Sequence, residues 1–239
     1  MHELIAYTTL KTYAIGVFPM AMSRDDPELH WFDPEKRGII PLEAFHIPRR
    51  LARTLRAEPF RVTADAAFER VMRMCAAPRP EHTETWINEQ IVDLYTELHD
   101  RGHAHSVECW QDDEMAGGLY GVSLGAAFFG ESMFSRRTDA SKVALCGLVS
   151  VLKAGGYRLL DTQYLTGHLT QFGAVEISRR DYRRRLAEAI ARPAQFHSHA
   201  GLRQDLLSAR EAECLDRGDA AIARAQRVDG VRCVEMRVA

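Results

Sequence analysis

The chain has 239 residues, 46% apolar and 27% charged, with a formal net charge of −2. That balance is ordinary for a globular protein and excludes one that coats nucleic acid by bulk charge, while leaving room for a local basic patch. No run approaches the roughly 18 apolar residues of a membrane span. Met1-His2-Glu3 opens neither a basic nor an apolar leader, so a cytoplasmic location is expected. The five cysteines are scattered without a CxxC pair, which suggests neither a zinc site nor a disulfide framework and fits a reducing compartment. His103 and His105 could share one face of a strand, but no third and fourth ligand cluster with them.

Residues 1–57 are expected to form a small, irregular module, punctuated by Pro19, Pro27, Pro34, Pro41 and Pro48. A first helix passes through Leu10 and Tyr13 and stops at Gly16, and Gly38 to Leu42 suggests a short strand. Pro48 suits the first turn of the next helix. There Leu51 and Leu55 make an apolar face, while Arg49, Arg53 and Arg56 make a basic one that also takes in Arg50.

A larger domain is expected over 58–197. Phe60 to Val62 reads as a strand and Ala66 to Cys75 as a helix. The PRPEHTE segment is a loop, and Trp86 is expected to open a helix reaching Leu98. Three strands follow at Ala104–Trp110, Glu114–Val122 and Ala126–Phe134, the last two joined by a Ser123-Leu124-Gly125 turn. Asp139 is placed to cap a helix that ends at Gly155-Gly156. A buried strand at Tyr157–Thr162, a helix from about Thr166, a strand at Ala174–Ile177 and a helix from Tyr182 to Ile190 complete the order. Residues 198–239 suggest a tail of unknown role. The order of elements resembles the core of GCN5-type acyltransferases, in which two neighbouring strands splay apart around an acyl donor.

Polar residues set into the most apolar third of the chain mark the candidate site. Asp161 and Gln163 alternate at the end of a buried strand and share a face, where a carboxylate and an amide can meet a substrate. Glu131 follows Phe128-Phe129-Gly130, so it must be paired or poised for a cationic ligand. Trp31 lies in a polar, proline-rich stretch suited to stacking, and Trp86 is a second candidate. Gly121 to Gly125 matches the GxSxG pattern of serine hydrolases, but strand-like sequence flanks it on both sides, so Ser123 is a turn residue. Ser135 to Lys142 lacks the glycines of a coenzyme A pyrophosphate turn, which argues against that donor.

The motifs resemble, in order and spacing over roughly residues 10–190, the leucyl/phenylalanyl-tRNA–protein transferase family. They are YAIGVFPM (Tyr13–Met20), WFDPEKRGIIPL (Trp31–Leu42), FHIPRRLART (Phe45–Thr54), Trp86-Ile87, GHAHSVECW (Gly102–Trp110), GGLYGVSLG (Gly117–Gly125), FFGESMFSRRTDASKVAL (Phe128–Leu145) and LLDTQYLTGHLTQFGAVEISR (Leu159–Arg179). The resemblance implies an α+β fold: a GCN5-related core with a small N-terminal α/β domain. It further implies transfer of Leu or Phe, and Met less well, from aminoacyl-tRNA to proteins with N-terminal Arg or Lys, creating a degradation signal. No metal or organic cofactor is implied, and a monomer is the default expectation.

On that basis Asp161 and Gln163 are the expected catalytic pair, with Asp161 steering a proton of the attacking amine. Leu119, Phe128, Met133, Leu145, Leu148 and Leu160 are expected around the donor side chain. Glu131 would hold the donor's α-ammonium or a ribose hydroxyl, with Trp31 and Trp86 flanking the terminal adenosine. Arg49, Arg50, Arg53 and Arg56 would meet tRNA phosphates. The alternatives are a same-fold transferase with another donor or acceptor, and a non-catalytic RNA-binding module, whose groove would have no use for carboxylates.

Overall fold

The computed structural model describes residues 2–78 and 84–198. Helix α1 (His2–Ala14) buries Ala6, Thr9 and Tyr13, whose three- and four-residue spacing makes one face. It ends at Gly16, whose φ of +87° is the left-handed conformation that glycine adopts freely. Strands β1 (Phe18–Met20) and β2 (His30–Phe32) then form a two-stranded hairpin that sequence reasoning missed, with Pro19 opposite Trp31. Three-residue strands carry too little periodicity to be recognised.

The main sheet has seven strands: β3 (Lys36–Ile40), β4 (Arg61–Ala64), β5 (Ala104–Gln111), β6 (Glu114–Leu124), β7 (Ala127–Ser135), β8 (Leu159–Gln163) and β9 (Val175–Ser178), in the order β4-β5-β6-β7-β8-β3-β9. The expected strand at Gly38–Leu42 begins two residues earlier, at Lys36. It lies within this sheet, antiparallel to β8 and β9, so the sheet crosses the division expected at residue 57. Four consecutive buried residues, Arg37 to Ile40, reflect a strand covered on both faces.

One side of the sheet is covered by α1, α3 (Phe68–Cys75), α4 (Glu89–Asp100) and α7 (Arg179–Ile190), whose apolar faces share a core cluster. The other side carries α2 (Arg49–Ala57), with Leu51 and Leu55 inward, and α5 (Ala140–Ala154). The short α6 (Gly167–Thr170) connects β8 to β9. The chain is α+β, as expected.

Several local expectations shift. Pro48 is the residue before α2 rather than its first. Trp86 lies ahead of α4; Asn88 caps that helix, its Oδ1 accepting from the Ile91 amide at 2.9 Å. The β6–β7 turn falls at Gly125-Ala126, leaving Ser123 inside β6. Asp139 occupies the cap position of α5 without capping it. His105 pairs with Asp65. Most of PRPEHTE and the tail beyond residue 198 lie outside the described residues.

Two features of the sheet shape the site. Strands β7 and β8, joined through α5, are its one parallel pair among the described residues, and they pair only at Ala127–Phe129 against Leu159–Asp161. Past that point β7 runs on to Ser135 alongside β6 alone, so the two strands part. In addition, Tyr120 pairs with Ser132 and Gly121 with Gly130, which leaves Glu131 as the extra residue of a β-bulge. The bulge reverses the alternation beyond it. Phe129 and Phe134, five residues apart, therefore face the same core cluster, while Phe128 and Met133 face the other.

Candidate functional site

The strongest polar constellation lies where β3, β7 and β8 meet. Arg37 and Asp161 are both almost wholly buried. The guanidinium donates from Nε to Asp161 Oδ1 at 2.9 Å and from Nη2 to Oδ2 at 2.7 Å, in a two-pronged pair. Its Nη1 donates to the Gly16 carbonyl at 2.9 Å. The guanidinium lies between the rings of Phe18 and Tyr182, 4.6 and 4.5 Å from their centroids. Burial works against the Arg37 charge, but the Asp161 carboxylate beside it holds its pKa above the ordinary value.

Asp161 also accepts from Tyr182 Oη at 2.6 Å and from its neighbour's backbone, Gln163 N, at 2.8 Å. Each carboxylate oxygen thus serves at least two donors, and the residue has no exposed surface. In this arrangement Asp161 neutralises Arg37 and accepts from the backbone of Gln163, which sits in the left-handed region at φ +56°.

Glu131, turned by the bulge, accepts from Tyr13 Oη at 2.8 Å and from Tyr95 Oη at 3.3 Å. The two hydroxyls also bond to each other. Gln163 Nε2 approaches the same carboxylate at 3.4 Å, so the ends of the parted strands meet through these two side chains. Glu131 retains some exposed surface, yet loss of water around its carboxyl pushes its pKa up to about 8. The tyrosine bonds and Arg37 pull the other way, while the Asp161 charge adds to the rise. A carboxyl balanced between its two protonation states near neutral pH, beside an amide, is equipped to bind a cation or exchange a proton.

Leu119, Phe128, Leu145, Leu148 and Leu160 are buried in one cluster on the α5 side of the sheet, and Met133 packs against it. Met133 alone of the six keeps appreciable exposed surface. Trp31 is 43% exposed on the hairpin, whereas Trp86 is half-buried against the opposite cluster. Arg49, Arg50, Arg53 and Arg56 are exposed on α2. Arg37, Tyr13, Tyr95 and Tyr182 were missed in the sequence. A signal existed for Arg37, since a buried carboxylate such as Asp161 requires a cation, but nothing local pointed to which one. The tyrosines read as ordinary core positions. Among the described residues no three His, Cys, Asp or Glu converge as a metal site, and no helix is long and apolar enough to cross a membrane.

The fold is that of an α+β protein with a mixed sheet, in which the parallel strands part around a carboxyl and an amide. Comparison with known proteins makes the assignment specific. Residues 39–187, more than half of the chain, match the family model described as leucyl/phenylalanyl-tRNA protein transferase. Proteins of that name from Paramagnetospirillum magneticum and Phenylobacterium zucineum are 62% and 61% identical, over 84% and 83% of this chain and 96% and 90% of their own lengths. One from Caulobacter vibrioides is 62% identical over 79% of this chain and 87% of its own. The chain belongs to the leucyl/phenylalanyl-tRNA–protein transferase family and is an aminoacyltransferase.

Proposed function

We propose that this aminoacyltransferase moves Leu or Phe, and Met less well, from aminoacyl-tRNA to the α-amino group of proteins whose N-terminus is Arg or Lys, marking them for degradation in the cytoplasm. The observation that carries the reading is the meeting of Glu131 and Gln163 where β7 and β8 part. The apolar cluster expected around the donor side chain lies on the other, α5 side of the sheet. GCN5-type acyltransferases place their donor in such a parting, and a relation to that core is part of the proposal.

The donor ester is already activated, so what the protein must supply is chiefly orientation of the amine and stabilisation of the charge that develops on the carbonyl oxygen. The acceptor's α-amino group has a pKa of about 8, and a useful fraction is neutral near pH 7.5 without a strong base. Its nitrogen attacks the ester carbonyl, the carbon–ribose oxygen bond breaks, and the amine's proton ends on the departing hydroxyl. Gln163 aligns the amine or the carbonyl oxygen, held in place by Asp161. Glu131 binds the donor's α-ammonium or a ribose hydroxyl, and the two tyrosines hold its carboxyl.

The donor side chain enters past Met133 toward Leu119, Phe128, Leu145, Leu148 and Leu160. Chains unbranched at Cβ suit such a slot better than Ile or Val, a preference worth about 1–3 kcal/mol. Trp31 and Trp86 flank the terminal adenosine, and Arg49, Arg50, Arg53 and Arg56 meet backbone phosphates. The test is transfer of labelled amino acid from Leu-, Phe-, Met- and Ile-tRNA to peptides beginning with Arg, Lys or Glu. Transfer from the first three donors, restricted to basic N-termini, is expected. Indifference to donor or acceptor would refute the proposed specificity.

A further inference from the structure

Asp139 breaks two local rules at once. It is a non-glycine residue at φ +65°, and it sits at the cap position of a fifteen-residue helix without bonding any of that helix's free amides. Ser135 stands in as a partial cap, its Oγ accepting from the Ser141 amide at 3.2 Å and donating to the Arg137 carbonyl at 2.8 Å. The Asp139 carboxylate instead turns toward α2. It accepts from Lys142 Nζ at 2.8 Å and from Thr54 Oγ1 at 3.4 Å, and lies 3.8 Å from Arg50.

Those partners give the arrangement a direction. Thr54 and Arg50 are four residues apart on α2, the helix that carries the exposed arginines. Alpha2 has only nine residues and no side-chain cap at its N-terminus, too short to hold itself together in water. Leu51 and Leu55 seat it on the α5 cluster. Asp139 closes one side of that seat. It also ends the loop that leaves β7, the strand carrying Glu131 and Met133.

A carboxylate under a basic surface lowers that surface's attraction for RNA phosphates, so its presence there needs another reason. We propose that Asp139 is a positioning residue for tRNA, fixing the arginine face of α2 relative to the donor site so that an aminoacyl end delivered along α2 reaches the parting of β7 and β8. The inference rests on the proposed tRNA-dependent function.

The sign of one substitution tests it. Asp139→Gly removes the carboxylate and suits the left-handed backbone, and Asp139→Asn keeps the side chain's shape without its charge. If Asp139 only neutralised Arg50 and Lys142, either variant would bind tRNA more tightly, having gained positive charge. Positioning requires the reverse, so tRNA binding, read by filter retention, weakens roughly threefold or more in Asp139→Gly and less in Asp139→Asn. Transfer from leucyl-adenosine, a donor without the tRNA backbone phosphates, should stay unchanged. Equal or tighter tRNA binding overturns the proposal, and so does a matching loss with both donors, which would make Asp139 a support of the pocket. A wild-type protein that transfers from leucyl-adenosine but binds no tRNA would remove the basis of this inference alone. One that transfers from neither donor would refute the proposed function itself.

Discussion

Arg37 and Asp161, 124 residues apart in sequence, form a buried two-pronged ion pair between adjacent strands β3 and β8. The pair ties the first fifty residues to the strand whose end carries Gln163. Its remaining contacts, from Tyr182, the Gln163 amide, the Gly16 carbonyl and the flanking rings, leave neither charge unsatisfied.

Removing one partner leaves the other charge buried alone. Asp161→Asn and Arg37→Met are each expected to destabilise the protein by about 3–5 kcal/mol in urea unfolding. The Arg37→Met/Asp161→Leu double variant should lose much less than the sum of the Arg37→Met and Asp161→Leu losses. Additive losses would show that the two residues act separately. Activity lost in Asp161→Asn is interpretable as chemistry only after this loss of stability has been measured.

Glu131 makes stability fall with rising pH. Its folded pKa is raised from the ordinary 4.5 to about 8, so between those values the folded protein holds a proton that the unfolded chain has released. Stabilisation from this group is therefore full at low pH and is lost as pH climbs through about 8. Glu131→Gln cannot ionise and presents one oxygen and one NH2 group to the two tyrosines at every pH. Between pH 5 and 8 the wild type should lose stability relative to that variant in thermal melts. Parallel curves would mean that the carboxyl ionises normally.

Gly38 follows Arg37 and pairs with Gln163 across a register shift. A Cβ there would stand 2.5 Å from the Tyr164 carbonyl carbon and 2.7 Å from the Leu165 nitrogen, both backbone atoms. Gly38→Ala should cost about 1–3 kcal/mol and push Gln163 out of line, so transfer should drop even in the folded fraction. Unchanged stability and turnover would show that the β8 end has slack.

If the α2 arginines meet phosphates, tRNA binding should weaken as salt rises. Arg53→Ala should lower the slope of log affinity against log salt by about 0.7–0.9. An unaltered slope would remove Arg53 from the contact surface.

Much of the order of elements was legible because it is local. Alternation marked β5 to β7, and the long apolar helix between Asp139 and Gly155 marked the crossover to β8. The six residues expected around the donor side chain share one cluster because each lies on an apolar strand or helix face. What escaped is non-local. No window around Lys36–Ile40 reveals that it inserts between β8 and β9, or that Arg37 will find Asp161. The bulge at Glu131 depends on how β6 pairs with β7, and it alone brings the carboxyl to Tyr13 and Tyr95. Asp139 matched the rule for a helix cap, but competition from Lys142 and Thr54 drew its carboxylate elsewhere.

The most direct measurement is single-turnover transfer of labelled leucine from saturating Leu-tRNA to an Arg-initiated peptide, by wild type and by Gln163→Asn. Asparagine tolerates the left-handed backbone at that position but falls one methylene short of Glu131. A folded variant that binds tRNA normally yet transfers at least about tenfold more slowly would place the chemistry between Glu131 and Gln163. Transfer at the wild-type rate would contradict that placement.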